Sequence, residues 1–114
     1  MAVKAVELGC AGHFICAKDC LWRRHTQVGK YRVSSVGDLY YKSEPYKRQT
    51  VGASGYFETM VFALTNKQSS GNEGCGCREV KEWSAIDGER YDTAGEAQKG
   101  HEKYVRKYLR MQAK

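Results

Sequence analysis

Leu21-Trp22-Arg23-Arg24-His25-Thr26-Gln27-Val28, then Gly29-Lys30, then Tyr31-Arg32-Val33-Ser34-Ser35-Val36, is the stretch that decides the fold. Two runs flank a two-residue break that begins with glycine. Glycine first in such a pair suits a type II′ turn, whose twist matches that of the strands it joins. The turn fixes the register, setting Val28 opposite Tyr31, Gln27 opposite Arg32, Thr26 opposite Val33 and Arg24 opposite Ser35. Because side chains alternate along a strand, Trp22, Thr26, Val28, Tyr31 and Val33 share one face, the core side. Arg23, His25, Gln27, Arg32 and Ser34 share the other, which reads as a polar face open to water. Arg24 interrupts the alternation and is placed at the rim, its stem packed and its head hydrated.

Outward from the hairpin, Val3 to Leu8 reads as a short opening strand. Gly37-Asp38 ends the second hairpin strand, with Leu39 to Lys42 as an extension, and Ser43 to Gly55 is a polar loop. Tyr56 to Thr65 is apolar on both faces, as in a central strand. Asn66 to Gly76 has the composition of a flexible loop, Glu79 to Ile86 reads as an edge strand, and Asp87-Gly88 as a turn. Thr93 with Glu96 forms a capping box that opens a helix over 93–112. Ala97, His101, Tyr104, Val105 and Tyr108 make its inward stripe, while Lys99, Lys103, Arg106, Lys107 and Arg110 face outward. The expectation is one α+β domain over 1–114, β-rich over 1–92: an antiparallel sheet of four to five strands with one C-terminal amphipathic helix on one face.

Composition bounds what such a domain does. Its 114 residues suffice for one modest core, and 41% hydrophobic content with a single proline, Pro45, argues for a folded chain. A net charge of +6 favours anionic partners. No run approaches the roughly 18–20 apolar residues of a membrane-spanning helix, and the first residues lack the apolar core of a signal peptide. With five cysteines, an odd number, the chain reads as a cytosolic protein carrying thiols or metal, not disulfides.

Cys10, His13, Cys16 and Cys20 lie close together, and Cys75 and Cys77 form a second group. Together they offer enough soft ligands for one tetrahedral structural zinc, although no pair has the Cys-x-x-Cys spacing. The competing reading makes Cys10 and Cys16 small apolar core residues and leaves no cofactor. Catalysis would have to draw on His13, His25 and His101, for instance Cys16 with His25 as a nucleophilic pair. His101 falls on the inward stripe and reads as a core histidine. With no glycine-rich phosphate loop, paired carboxylates or third orienting group, the expectation is a non-enzyme.

Two surfaces stand out for binding. Arg23, His25 and Arg32 could contact phosphates from neighbouring strands. Tyr40, Tyr41, Tyr46, Tyr56 and Phe57 surround a loop that also carries Lys42, Lys47 and Arg48, and tyrosine and arginine are enriched in interface hot spots. Such interleaving also serves nucleic-acid binding.

Val6-Glu-Leu-Gly-Cys-Ala-Gly-His-Phe14 with Trp22-Arg-Arg-His-Thr26, Phe57-Glu-Thr-Met-Val-Phe62, and Arg90-Tyr-Asp-Thr-Ala-Gly-Glu-Ala-Gln-Lys-Gly-His-Glu102 together resemble small phage- and prophage-encoded accessory proteins. The resemblance is to proteins of unassigned function and implies expression in the host cytoplasm from an accessory phage gene, a class that often encodes inhibitors of host defence, anti-CRISPR proteins included, or regulators of host enzymes. It therefore implies a host protein or nucleoprotein complex as the partner and no membrane. The alternative from the residues alone is a small basic nucleic-acid-binding module, with or without zinc.

Overall fold

The computed structural model describes residues 4–8, 20–44, 46–51, 55–68, 78–81 and 84–112. It is an antiparallel sheet with one helix packed on it, the expected α+β architecture. The hairpin is its centre. Strands β2 (Cys20–Val28) and β3 (Tyr31–Tyr40) pair in the register that the turn dictates, with Val28 opposite Tyr31, Thr26 opposite Val33 and Arg24 opposite Ser35. Gly29 sits at φ 58°, where only glycine rests without strain, as the first central residue of a type II′ turn requires.

Strand β1 (Ala5–Leu8) pairs with the outer edge of β2, and the two-residue β4 (Arg48–Gln49) pairs with the far end of β3. The long strand β5 (Phe57–Gln68) takes the inner edge of β3. Its other edge is shared end to end by β7 (Asp87–Tyr91), along Phe57 to Val61, and β6 (Arg78–Val80), along Leu64 to Gln68. Seven strand segments are thus present where four to five were expected, because two of them are two or three residues long.

Two expected breaks are strand instead. Gly37-Asp38 does not end β3: Gly37 pairs with Trp22 on one side and Phe57 on the other, and it is glycine because Phe57's ring fills the space where a Cβ would stand. Asp38 takes φ 53° without leaving the sheet, its N–H donating to the Tyr56 carbonyl and its carboxylate accepting from Arg48 at 2.6 Å. Asp87-Gly88 opens β7 and is not a turn. The Asp87 carboxylate is drawn to the helix by Lys107 and Tyr108, and a Cβ on Gly88 would lie 2.7 Å from the Thr59 carbonyl oxygen, a close approach that only glycine permits.

Helix α1 (Ala94–Gln112) begins where the capping box places it: the Glu96 N–H donates to Thr93 Oγ1 at 3.2 Å, and the Thr93 hydroxyl donates to the Glu96 carboxylate at 3.0 Å. Its stripe buries Ala97, Gly100, His101, Tyr104 and Tyr108 against the sheet. Tyr104 and Tyr108 pack on Val28, Val33 and Val61 near the hairpin turn, while Ala97 packs with Phe57 and Tyr91 towards the helix start. At the last turn Gln112 clamps the hairpin, donating to the Val28 carbonyl at 2.8 Å and accepting from the Lys30 N–H at 3.1 Å. Along β7, Lys103 and Lys107 reach down to Glu89 and Asp87 at 2.7 and 2.6 Å. No described helix is long and apolar enough to cross a membrane.

Candidate functional site

The second face of the hairpin differs from its expected open, solvated state. Arg32 is 0% exposed and His25 3%, and Ser34 between them is buried too. Arg32 Nε donates to Ser34 Oγ at 3.1 Å, and the same hydroxyl is hydrogen-bonded to His25 Nδ1 at 3.0 Å. Phe62, opposite Arg32 on β5, is buried as well. An arginine enters an interior when its guanidinium is hydrogen-bonded there. Of the three residues read as a phosphate-binding face, only Arg23 is exposed. His25 and Arg32 instead help to build the interior.

The helix side holds a second polar assembly, continuous from surface to core. Arg24 donates to the Glu7 carboxylate at 2.6 Å, and Thr26 Oγ1 donates to the same carboxylate at 2.9 Å. Having given its only proton to Glu7, Thr26 must accept from His101 Nε2 at 2.8 Å. The neutral ring then accepts at Nδ1 from the Ser35 hydroxyl at 2.6 Å, and Ser35 in turn accepts from Thr59 at 2.6 Å. One direction of donation satisfies Thr26, His101, Ser35 and Thr59; Arg24 Nη1 is buried 3.9 Å from Glu102, beyond hydrogen-bond reach. His101 is 0% exposed. Burial, aided by the nearby Arg24 charge and opposed by Glu7 and Glu102, holds its pKa down at about 4. Burial pushes the Glu7 carboxyl upward, but the bonds from Arg24 and Thr26 outweigh it and leave the pKa below its ordinary value. A serine and a histidine in contact could in principle form a nucleophile and base. Here no substrate atom can reach them, and the assembly acts as a polar bolt between helix and sheet. Arg24 thus does more than sit at the rim.

The loop after β3 is where exposed aromatic and basic side chains remain. Tyr41 is 40% exposed and Tyr46 is 85% exposed, with Lys42 and Lys47 exposed beside them. The loop stands on a firm base: Leu39 and Tyr40 of β3 pair with Gln49 and Arg48 of β4, the Glu44 N–H donates to the Tyr41 carbonyl, and the Lys47 N–H donates to the Glu44 carbonyl. Arg48 is committed to this base, bound to Asp38 and stacked 4.3 Å from the centre of the Tyr56 ring. Phe57 is core, and Tyr40 is half-buried.

Of the proposed zinc ligands, Cys10, His13, Cys16, Cys75 and Cys77 lie outside the described residues. Cys20 is buried with Val36, Leu39 and Val51. Among the described residues no group of three or more metal-ligating side chains comes together. Compared with protein-family models, with curated proteins and with solved structures, the chain finds no match.

The residues that sequence reasoning passed over are Glu7, Ser35 and Thr59. Only Ser35 had a signal: the hairpin register puts it on the core face, where a hydroxyl needs a partner, whereas Glu7 and Thr59 lie on strands that register does not include.

Proposed function

We propose that this protein acts by binding: a phage accessory protein that attaches to a host protein or nucleoprotein complex and inhibits it, in the manner of counter-defence proteins such as anti-CRISPRs. The observation that supports this reading is the Tyr41–Tyr46 loop. It presents two exposed rings and two exposed lysines beside a hydrogen-bonded strand base, the residue types enriched in interface hot spots being tyrosine and arginine. The fully buried Ser35–His101 contact adds no support for turnover. Capture from host lysate tests the proposal, with Tyr46→Ala and Lys47→Glu as the paired control. A reproducible partner retained by the native chain and lost by the variant supports it. A partner that binds both equally, or measurable turnover with no partner, refutes it.

A second reading, a small nucleic-acid-binding module, rests on the outer face of α1. Lys99, Arg106 and Arg110 are exposed, and among the described residues no carboxylate pairs with them. That reading predicts affinity falling steeply with salt, because each neutralised phosphate releases counterions. Anisotropy titrations at two salt concentrations separate it from the first.

A further inference from the structure

A cavity of about 480 Å³ opens along the β5–β7 border, lined by Glu58, Ala85, Ile86, Gly88 and Arg90 among others. Its size is that of a small-ligand site. Gly88 helps to make it, since no side chain projects from β7 opposite Met60. In the register Glu58 lies between Val36 of β3 and Arg90 of β7, so an apolar neighbour flanks it on one side.

Glu58 is the unusual group. It is only 6% exposed, and its carboxylate lines the cavity with no hydrogen bond from a described residue, so the cavity is its opening to water. Its one described partner is Arg90, whose Nη2 stands 3.9 Å from Oε1, too far for a hydrogen bond. A carboxylate set mostly below the surface with no donor of its own is less well solvated than one in open water. Accordingly, burial pushes the Glu58 carboxyl above its ordinary value, and Arg90 offsets this only in part. Arg90 is itself well exposed, free to swing towards water. The wall beside it is apolar, with Ile86 and Ala85 both exposed.

We propose that this cavity binds a cationic head on a short apolar stem, an alkylguanidinium or alkylammonium, whose N–H groups donate to Glu58 while the stem lies along Ala85 and Ile86. A head of this chemistry belongs equally to a free amine or to an arginine or lysine side chain. The site is separate from the tyrosine loop and stands or falls independently of the binding role given to it.

The test is an NMR titration of the whole chain with n-propylguanidinium and n-propylammonium, with n-propylurea as the uncharged analogue. A capped Gly-Arg-Gly peptide forms a further arm. Saturable shifts at the Glu58 carboxyl carbon and the Gly88 amide are expected with the cations and not with the urea. Charge-assisted hydrogen bonds of this kind imply that Glu58→Gln weakens binding by about tenfold or more. Arg90→Gln, which removes the competing cation, is expected to tighten it, and provides a second reading should Glu58→Gln fold poorly. Tighter binding of the peptide than of the free cations assigns the site to a protein side chain, and binding of the free cations alone assigns it to small amines. Either supports the proposal. Absence of saturation with every cation, equal binding of the urea, or indifference to both substitutions overturns it.

Discussion

Lowering the pH from 7 to 4.5 should weaken the docking of α1 through one residue. His101 is fully buried, with both ring nitrogens engaged, and its pKa falls from an ordinary 6.5 to about 4 in the fold. The unfolded chain therefore binds a proton at this position more tightly than the folded chain does. Above pH 6.5 neither state is protonated and the stabilising bonds are fully present. Between 6.5 and about 4 the unfolded state gains the proton first, so stability is lost steadily as pH falls. At about 1.4 kcal/mol for each tenfold difference in proton affinity, the complete loss is roughly 3 kcal/mol. That is a large share of the roughly 5–15 kcal/mol that holds a typical domain together. Glu7, Asp87 and Glu89 have lowered values and add their own losses only as pH falls below about the ordinary carboxylate range, near 4.5 and 3.8. Glu58, with a raised value, works in the opposite sense: its burial weakens the fold as pH rises through its titration. Urea titrations at half-unit steps from pH 8 to 4.5 measure the slope, and subtracting the curve of His101→Gln removes the other groups' contributions. The His101 imidazole NMR shifts of the folded chain give the second measure and should stay constant from pH 8 to 5. A His101 ring that titrates near 6.5 in the folded protein, or a difference curve that is flat, would refute the argument.

Four further outcomes follow from packing. Gly100→Ala drives a Cβ into the Tyr91 ring and should destabilise the fold by about 1–3 kcal/mol, whereas Gly95→Ala meets nothing within 4 Å and should raise stability by about 0.5 kcal/mol in thermal unfolding. Gln112→Ala loses both bonds to the hairpin turn and should cost about 1 kcal/mol, with faster amide exchange at Lys30 as the local readout. Tyr46→Ala touches no core residue and should change stability by less than about 0.5 kcal/mol, so any loss of partner capture reports binding and not folding. Replacing the bolt together, as Thr26→Val with Ser35→Ala and His101→Leu, should retain most of the stability but broaden the amide spectrum; a spectrum as sharp as the native one would show that the polar contacts add no specificity.

How much of this was legible in the chain depends on how local each cause is. The hairpin register was readable because Gly29-Lys30 admits one turn geometry, and the helix start because Thr93 and Glu96 satisfy each other within one turn. Asp87-Gly88 misled because the dipeptide suits a turn by itself, and only the distant Lys107 and Tyr108 make its carboxylate part of a sheet-to-helix contact. Alternation sorted Arg32 and His25 onto one face correctly, but periodicity does not say whether a second face is covered. Burial of that face is decided by tertiary contacts, and the pairing of Arg32, Ser34 and His25 is what makes its polar groups tolerable there. The tyrosine loop was found from composition alone, since exposure follows from a short turn-rich segment. Glu58 was hidden inside a strand that reads as apolar throughout.

The bolt formed by Thr26, Ser35 and His101 also restricts where the helix can sit. A slide of one helical turn, about 5.4 Å, would cost this stripe packing, since Gly100 alone fits against Tyr91, and it would also cost hydrogen bonds. Such a slide would bring Ala97 or Val105 to the position of His101. The hydroxyls of Thr26 and Ser35 would then face carbon, each unsatisfied group costing about 1–3 kcal/mol. Only one axial setting and one rotation of the cylinder escape that penalty. The buried histidine is thus an index pin beside the Gly100 fit: the tyrosines supply adhesion, and the imidazole adds a directional notch.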